Sequence, residues 1–453
     1  MDTLLAARWQ MTISLMFHMV FAAIGIGLPL LMVIVEWRYL RTRQEHYLEL
    51  AKKWAKATGL LFAVGAVSGT ALSFELGLLW PQYMELMGAV VGHIFGLEGF
   101  AFFVEAIFIG IYLYAWGRIS PWAHWLAGVM IAIAGATSGV LVVGVNAWMQ
   151  IPVGFVLDDA GRVLVSDPMA IYKRYGWFMM ALHSTLSCYV AVAFAVAGVY
   201  AWGWLKGHRD KYHMSAIRVS LAVGGIAAIA QPISGDLLAK FVYRTQPAKF
   251  AAMEGQYETE AYAPLRIGGW PDDQNERTRF AIEIPGALSI LAAHDPSTVI
   301  TGLKDIPPEN RPPVHLTHAA FQIMVILGVI LMVVSIVFWL IYRKRGEGVM
   351  ALKWMAPVLV ACGPLGFIAL EAGWIVTEVG RQPWVIQPNP ATGYPGMRTA
   401  DAVTSAAGVA ELFYLFTVLY VVLGGTVILI LYSLRRQRQQ RRPILAPQEV
   451  PAH

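Results

Sequence analysis

The sequence predicts an all-α membrane protein, a bundle of about nine transmembrane helices with the N-terminus outside and the C-terminus cytoplasmic. Three observations carry this. The 453-residue chain is 57% hydrophobic and only 14% charged, with mean hydropathy +0.56; a soluble domain is about a quarter charged. Its apolar runs reach the roughly 20 residues that a helix needs to cross a bilayer. Lys and Arg gather in alternate connections, the usual mark of cytoplasmic loops. Backbone groups in lipid must be satisfied within their own segment, which favours helices, and the runs are too long and too uniformly apolar for barrel strands.

The spans fall at roughly 11–36, 57–79, 94–115, 122–148, 177–204, 215–235, 319–342, 352–378 and 408–433. The first loop carries Arg38, Arg41, Arg43, Lys52, Lys53 and Lys56, and the third carries Arg118. The fifth carries Lys206, Arg209, Lys211 and Arg218, and the seventh Arg343, Lys344, Arg345 and Lys353. The tail adds Arg435, Arg436, Arg438, Arg441 and Arg442. These connections are assigned to the cytoplasm, and a long Pro-, Gly- and charge-rich loop at about 236–318 to the outside. A loop that long in a compact protein is functional or mobile. The start, MDTLLAARWQ, lacks the basic-then-apolar pattern of a cleavable signal. The basic balance, with pI near 9.1, is a topology signal and calls for no nucleic-acid partner. Cys188 and Cys362 sit in predicted spans and form no metal or haem-attachment motif. No internal repeat of the kind transporters carry is visible.

Ionisable side chains in a bilayer cost at least about 2.5 kcal/mol on insertion scales, so each is a functional candidate. His18 lies in the first span, Glu98 and Glu105 seven apart in the third, His183 early in the fifth, Met324 early in the seventh, and Glu378 at the end of the eighth. With the orientation above, Glu98, His183, Met324 and Glu378 fall near the outer surface, with His18 about a third of the way in. Imidazole, thioether and carboxylate are haem or metal ligand types, and a His with a Met from another helix suits an electron-transfer haem. Each also has an ordinary reading. A span His can bond a backbone carbonyl, one Met of 19 is usually packing, and Glu98 with Glu105 could line an ion path. Glu378 with Arg381 could be a structural ion pair.

The stretch Gly373–Trp384, GWIVTEVGRQPW, resembles the G-W-x-x-x-E-x-G-R-Q-P-W signature of subunit I of cytochrome bd-type quinol oxidases. ARWQMTISLMFH at the start, LEGFAFFVEAIF in the third span, NAWMQIPVGF after the fourth, QPAKFAAMEGQYET in the long loop and AFQIMV in the seventh agree with it, in order, over nearly the whole length. The resemblance implies the haem-bearing catalytic subunit of a terminal oxidase in a bacterial or archaeal cytoplasmic membrane. It would oxidise quinol outside and reduce dioxygen to water, building a proton gradient by charge separation without pumping.

The resemblance further implies three haems: a low-spin haem b on His183 and Met324, a high-spin haem b on Glu378, and a haem d or third haem b on His18. Glu98 would sit beside the oxygen-reducing haem, with Glu105 near the high-spin pair, and Arg381 and Trp374 would flank the group. Ser138 matches a position on a proton path. Lys249 and Glu254 match the loop positions tied to quinol. The partners implied are subunit II and lipid, with room for a small single-span subunit. LKDIPPENRPPVHLTHA in place of a longer insertion puts the chain in the short-loop branch. Gln322 stands where the best-known members carry arginine. Losing that cation implies a lower low-spin potential or a different electron donor. The rival readings are a related haem oxidoreductase with another donor and, from another class, a proton-coupled transporter using Glu98, Glu105 and Glu378.

Overall fold

Asp2 starts the first helix by accepting hydrogen bonds from the Leu4 and Leu5 amides, at 3.1 and 3.4 Å. From there the computed structural model describes residues 1–440, with side chains through residue 432. In chain order the helices begin with α1 (Thr3–Thr42), α2 (Glu45–Leu79), α3 (Pro81–Tyr114), α4 (Pro121–Gln150), α5 (Tyr175–Leu205) and α6 (Lys211–Thr245). The long loop adds α7 (Pro247–Glu254) and α8 (Ala287–Ala293). Then come α9 (Val314–Arg345), α10 (Met355–Cys362), α11 (Leu365–Val379), the short α12 (Thr399–Ala402) and α13 (Val409–Gln440). Among the described residues nine segments are long and apolar enough to span a membrane, α10 and α11 counting as one. The basic tail from Arg435 onward lies outside the described side chains.

Among the described residues, four two-stranded antiparallel sheets cover one end of the bundle. They pair β1 (Phe155–Leu157) with β2 (Val163–Ser166), β3 (Leu265–Ile267) with β6 (Ile282–Ile284), β4 (Trp270–Asp272) with β5 (Arg277–Arg279), and β7 (Trp384–Ile386) with β8 (Met397–Arg398). Connections at this end bond to one another: Gln387 N to Met149 O at 2.9 Å, Thr404 N to Leu79 O at 2.9 Å, and Arg398 Nη2 to Asn310 Oδ1 at 2.7 Å. The opposite end holds the basic loops, where Arg218 donates to the Tyr47 hydroxyl at 2.6 Å.

α1 packs on α2, α4, α5 and α13, while α5 packs on α6, α10 and α11. Close approach needs small residues, because helices in lipid gain from packing rather than from hiding apolar surface. A Cβ on Gly198 of α5 would stand 2.9 Å from the Gly363 Cα, so those backbones meet directly. Away from the loop end, the buried Glu36 carboxylate accepts from Tyr112 Oη at 2.6 Å and lies 2.7 Å from His124 Nδ1, and the His124 Nε2 faces the Tyr112 carbonyl at 3.0 Å. Every polar atom of that trio is satisfied, which pins α1, α3 and α4 together.

The span edges differ from expectation for physical reasons. α3 begins at Pro81, thirteen residues before the predicted edge at 94, because Tyr83, Met87, Val90 and Val91 bury against the loop end. α6 continues past residue 235 to Thr245 because Lys240 reaches Asp236 one turn back at 2.6 Å and Val242 packs into the loop's own core. The eighth span is two helices, since Pro364 follows Gly363 and supplies no amide to continue the ladder. The long loop, expected at 236–318, is a folded cap over 246–313 built on Phe250, Met253, Ala263, Leu288 and Ile300.

Candidate functional site

Two histidines sit in matching settings. His18 Nδ1 lies 3.1 Å from Ser68 Oγ, and that hydroxyl's own proton goes to the Gly65 carbonyl at 3.1 Å. His183 Nδ1 lies 2.9 Å from Ser234 Oγ, whose proton goes to the Gln231 carbonyl at 2.9 Å. In both, the serine is left to accept, so Nδ1 carries the ring proton and Nε2 is the acceptor; at His183 that lone pair faces the Gln231 side-chain amide, Nε2 to Nε2 at 3.2 Å. A glycine follows each serine: a Cβ on Gly69 would stand 2.9 Å from His18 Cε1, and one on Gly235 3.3 Å from His183 Cε1. The Ser-Gly pair thus orients the imidazole and makes room for it.

Met324 of α9 faces Gly373 of α11, where a Cβ would approach its sulfur to 3.1 Å. His183 and Met324 come from helices that both pack on α6 and α11. Trp374 fills the space between α1 and α5 beside Ala23, Ile26, Cys188 and Ala191.

Glu378 pairs with Arg381 and accepts from Asn146 Nδ2 at 2.5 Å. The Arg381 guanidinium, 6% exposed, also donates to Met149 Sδ at 3.3 Å, and Arg8 holds the neighbouring Gln382 at 2.6 Å. Deeper along α4, Ser138 donates to Glu98 Oε1 at 2.7 Å, and Gly135 leaves space for Glu105, whose Oε1 a Cβ there would meet at 3.1 Å. Asn146, Ser138 and Gly135 mark three levels on α4 spread over about 16 Å. Glu378, Glu98 and Glu105 therefore form a staircase, and Glu98 lies deeper than the position near the outer surface expected of it. Glu98 in particular has seventeen residues of α3 before it, about 25 Å of helix. An apolar cleft of about 380 Å³, lined by Leu97, Val140, Met169 and Trp177 among others, opens beside it.

α7 carries Lys249 and Glu254, both buried, and aims them at different neighbours. Lys249 Nζ donates to Gln150 Oε1 at 3.3 Å and to the Thr377 carbonyl at 3.2 Å, which puts it beside the Glu378–Arg381 pair. Burial pushes its ammonium down to about 7, with Arg381 adding to the shift and Glu378 opposing it. Among the described residues, neither oxygen of Glu254 has a hydrogen-bond partner. Burial pushes it up to about 8 against the pull of Arg266. Gln322 turns its amide to the loop, accepting from Gly268 N and donating to the Arg266 carbonyl, each at 3.0 Å.

Sequence comparison decides the family. The model of the cytochrome bd terminal oxidase subunit I family matches residues 6–439. This chain belongs to that family. A chain of Bacillus subtilis (strain 168) provisionally named cytochrome bd menaquinol oxidase subunit I is 37% identical over 441 residues, 96% of this chain and 97% of that one. A second from the same strain, named cytochrome bd ubiquinol oxidase subunit 1, is 31% identical over 94% of this chain and 92% of its own length. The solved bd oxidase from Geobacillus thermodenitrificans shares the fold at TM-score 0.89 and 39% identity, covering 96% of this chain and 99% of that one.

A cytochrome bd subunit I implies haem, and the residues present fit it. In both imidazoles the serine on Nδ1 leaves Nε2 as the acceptor nitrogen, the state a metal ligand needs; the Gln231 amide that faces the His183 Nε2 would have to turn aside for a metal. Asn146 Oδ1, Arg381 Nε, Gln231 Oε1 and both Glu371 oxygens are buried without partners among the described residues, a density of unsatisfied atoms that a native interior rarely keeps unless a further group binds there. Among the described residues no three His, Cys, Asp or Glu side chains converge on one bare ion. Sequence reasoning missed Ser68, Gly69, Ser234, Gly235, Asn146 and Gln150. The repeated Ser-Gly dipeptide was visible, but its meaning depends on which helices pair.

Proposed function

We propose that this chain is the haem-bearing catalytic subunit of a terminal oxidase that oxidises quinol at the loop-covered end and reduces dioxygen to water. His183 and Met324 would hold a low-spin haem b, Glu378 a high-spin haem b, and His18 the oxygen-reducing haem, d or a third b. Bound there, the haems supply electron transfer and oxygen reduction.

The chain's own residues bind, orient and move protons. Ser68 and Ser234 fix the imidazoles of His18 and His183. Arg381 offsets the Glu378 charge, and Asn146 holds that carboxylate in place. Trp374 packs between the helices bearing the two histidines. Lys249, turned towards Gln150, holds a quinol oxygen. Glu254, buried and without a hydrogen-bond partner among the described residues, accepts a quinol proton as general base. Glu98, held by Ser138, and Glu105 below it keep protons inside the bundle for use at the oxygen site.

With the loop end outside and the basic loops in the cytoplasm, quinol protons leave outside and consumed protons enter from inside. Charge separates without a pump. The setting is a bacterial or archaeal cytoplasmic membrane, with subunit II as partner and apolar flanks such as Phe100, Phe103 and Ile107 facing lipid or protein. The Ser-Gly seat that His18 and His183 share carries this reading. It is tested by quinol-dependent oxygen uptake of the purified complex; a fully haem-loaded complex inert with every quinol sinks it. A second reading, a donor other than the usual quinol, is favoured by Gln322. Its neutral amide is spent on the loop and offers no cation to stabilise a reduced low-spin centre.

A further inference from the structure

His318 lies one turn before Gln322 on α9, fully buried, on the face turned to the long loop. Its Nδ1 is 2.8 Å from the Met253 carbonyl and its Nε2 3.1 Å from the Gly268 carbonyl. Gln322 grips the same turn through Gly268 N and the Arg266 carbonyl. Two side chains of one helix face therefore hold two separate pieces of loop, the end of α7 and the turn between β3 and β4. Met253 immediately precedes Glu254. Gly255, in the left-handed region at φ +61°, fits closely against the ring, since a Cβ there would stand 3.3 Å from His318 Cε1. Thr278 reinforces the corner by donating to the Gly255 carbonyl at 2.7 Å, and Arg266, paired with Glu283, reaches Gln256. Met324, two residues beyond Gln322, turns to the other side of α9 and faces Gly373.

We propose that His318 and Gln322 are positioning residues, a two-point clamp that docks the loop on α9 and sets the Glu254 carboxyl before quinol arrives. The clamp rests on the reading of Glu254 as the group that receives a quinol proton. Both partners of His318 are carbonyl oxygens, so holding both takes two N–H donors from one side chain. A doubly protonated ring supplies them, and so does the NH2 of glutamine. Without the clamp only a fraction of molecules has the loop docked, and the apparent affinity for quinol falls by that fraction while saturated turnover survives.

The test uses the intact complex with His318→Phe, His318→Gln and Gln322→Ala, read by amide hydrogen exchange over residues 250–269 and by quinol kinetics. His318→Phe is expected to speed exchange in that segment and raise KM at least about tenfold, since two hydrogen bonds are lost and one good one alone is worth that factor, with kcat little changed. His318→Gln restores both, and Gln322→Ala moves both in the same direction as the Phe variant. Unchanged exchange in the Phe and Ala variants, or a fall in kcat at constant KM, overturns the clamp. If the Phe variant fails to assemble, exchange in Gln322→Ala decides alone. Exchange needs no quinol, so the clamp is judged separately from the quinol reading, which fails if Glu254→Gln keeps full turnover.

Discussion

Lys249→Arg offers a sharp test of the proton chemistry at α7. Lys249 is lowered to about 7, so it loses charge as pH rises through that value. Glu254 is raised to about 8, so it gains charge as pH rises through that one. If a charged lysine holds quinol and an ionised glutamate takes its proton, kcat/KM is a bell with its maximum at about pH 7.5. At that pH about a quarter of each group is in the needed form, so about one molecule in seventeen is ready. Arginine stays charged throughout, and Gln150 Oε1 and the Thr377 carbonyl can accept from a guanidinium as they do from the ammonium. Gly380 keeps the wall beside this side chain open, since a Cβ there would stand 3.1 Å from Lys249 Cγ. The alkaline limb should vanish, with a gain over wild type of about twofold at pH 7 and about elevenfold at pH 8. The assay is quinol-dependent oxygen uptake across pH, with the reduced-minus-oxidised spectrum confirming assembly. A variant profile that superimposes on the wild type refutes the reasoning.

Three further outcomes are expected. His183→Ala or Met324→Leu removes the low-spin haem signal and leaves the high-spin signals largely intact; a retained low-spin band refutes the ligand assignment. Ser138→Ala takes the donor from Glu98 and slows turnover by up to about tenfold with haem spectra unchanged, and normal turnover counts against a proton role for the pair. His124→Ala takes one of its two partners from buried Glu36, leaving Tyr112, and costs about 1–3 kcal/mol, measured as a lower unfolding temperature; a loss near zero contradicts the pinning role of the trio.

The spans were legible because lipid selects on a single property, hydropathy, and every expected span is present. Their ends were not, because a helix outside the apolar window is held by tertiary contacts such as Tyr83 with Met149 or Lys240 with Asp236. The break at Gly363–Pro364 was printed in the chain, yet an apolar window reads straight through it. His18, His183 and Glu378 stood out as costly residues in apolar surroundings, whereas Met324, one of 19 methionines, drew notice only as a possible partner to a histidine. Lys249 and Glu254, in a polar loop, came only through resemblance. Ser68 and Ser234 could not have been found alone, since serine in a helix usually bonds its own backbone; only the pairing of α1 with α2 and α5 with α6 gives them a partner. Gln322 read as a missing cation, and the structure shows its amide occupied in holding the loop.

The central claim is that single ligands on several helices hold haems fed by quinol. A reduced-minus-oxidised spectrum of the purified complex, with quinol as the only reductant, tests it most directly. Low-spin and high-spin haem bands should appear on adding quinol and disappear on admitting oxygen. A spectrum without haem bands would contradict the account.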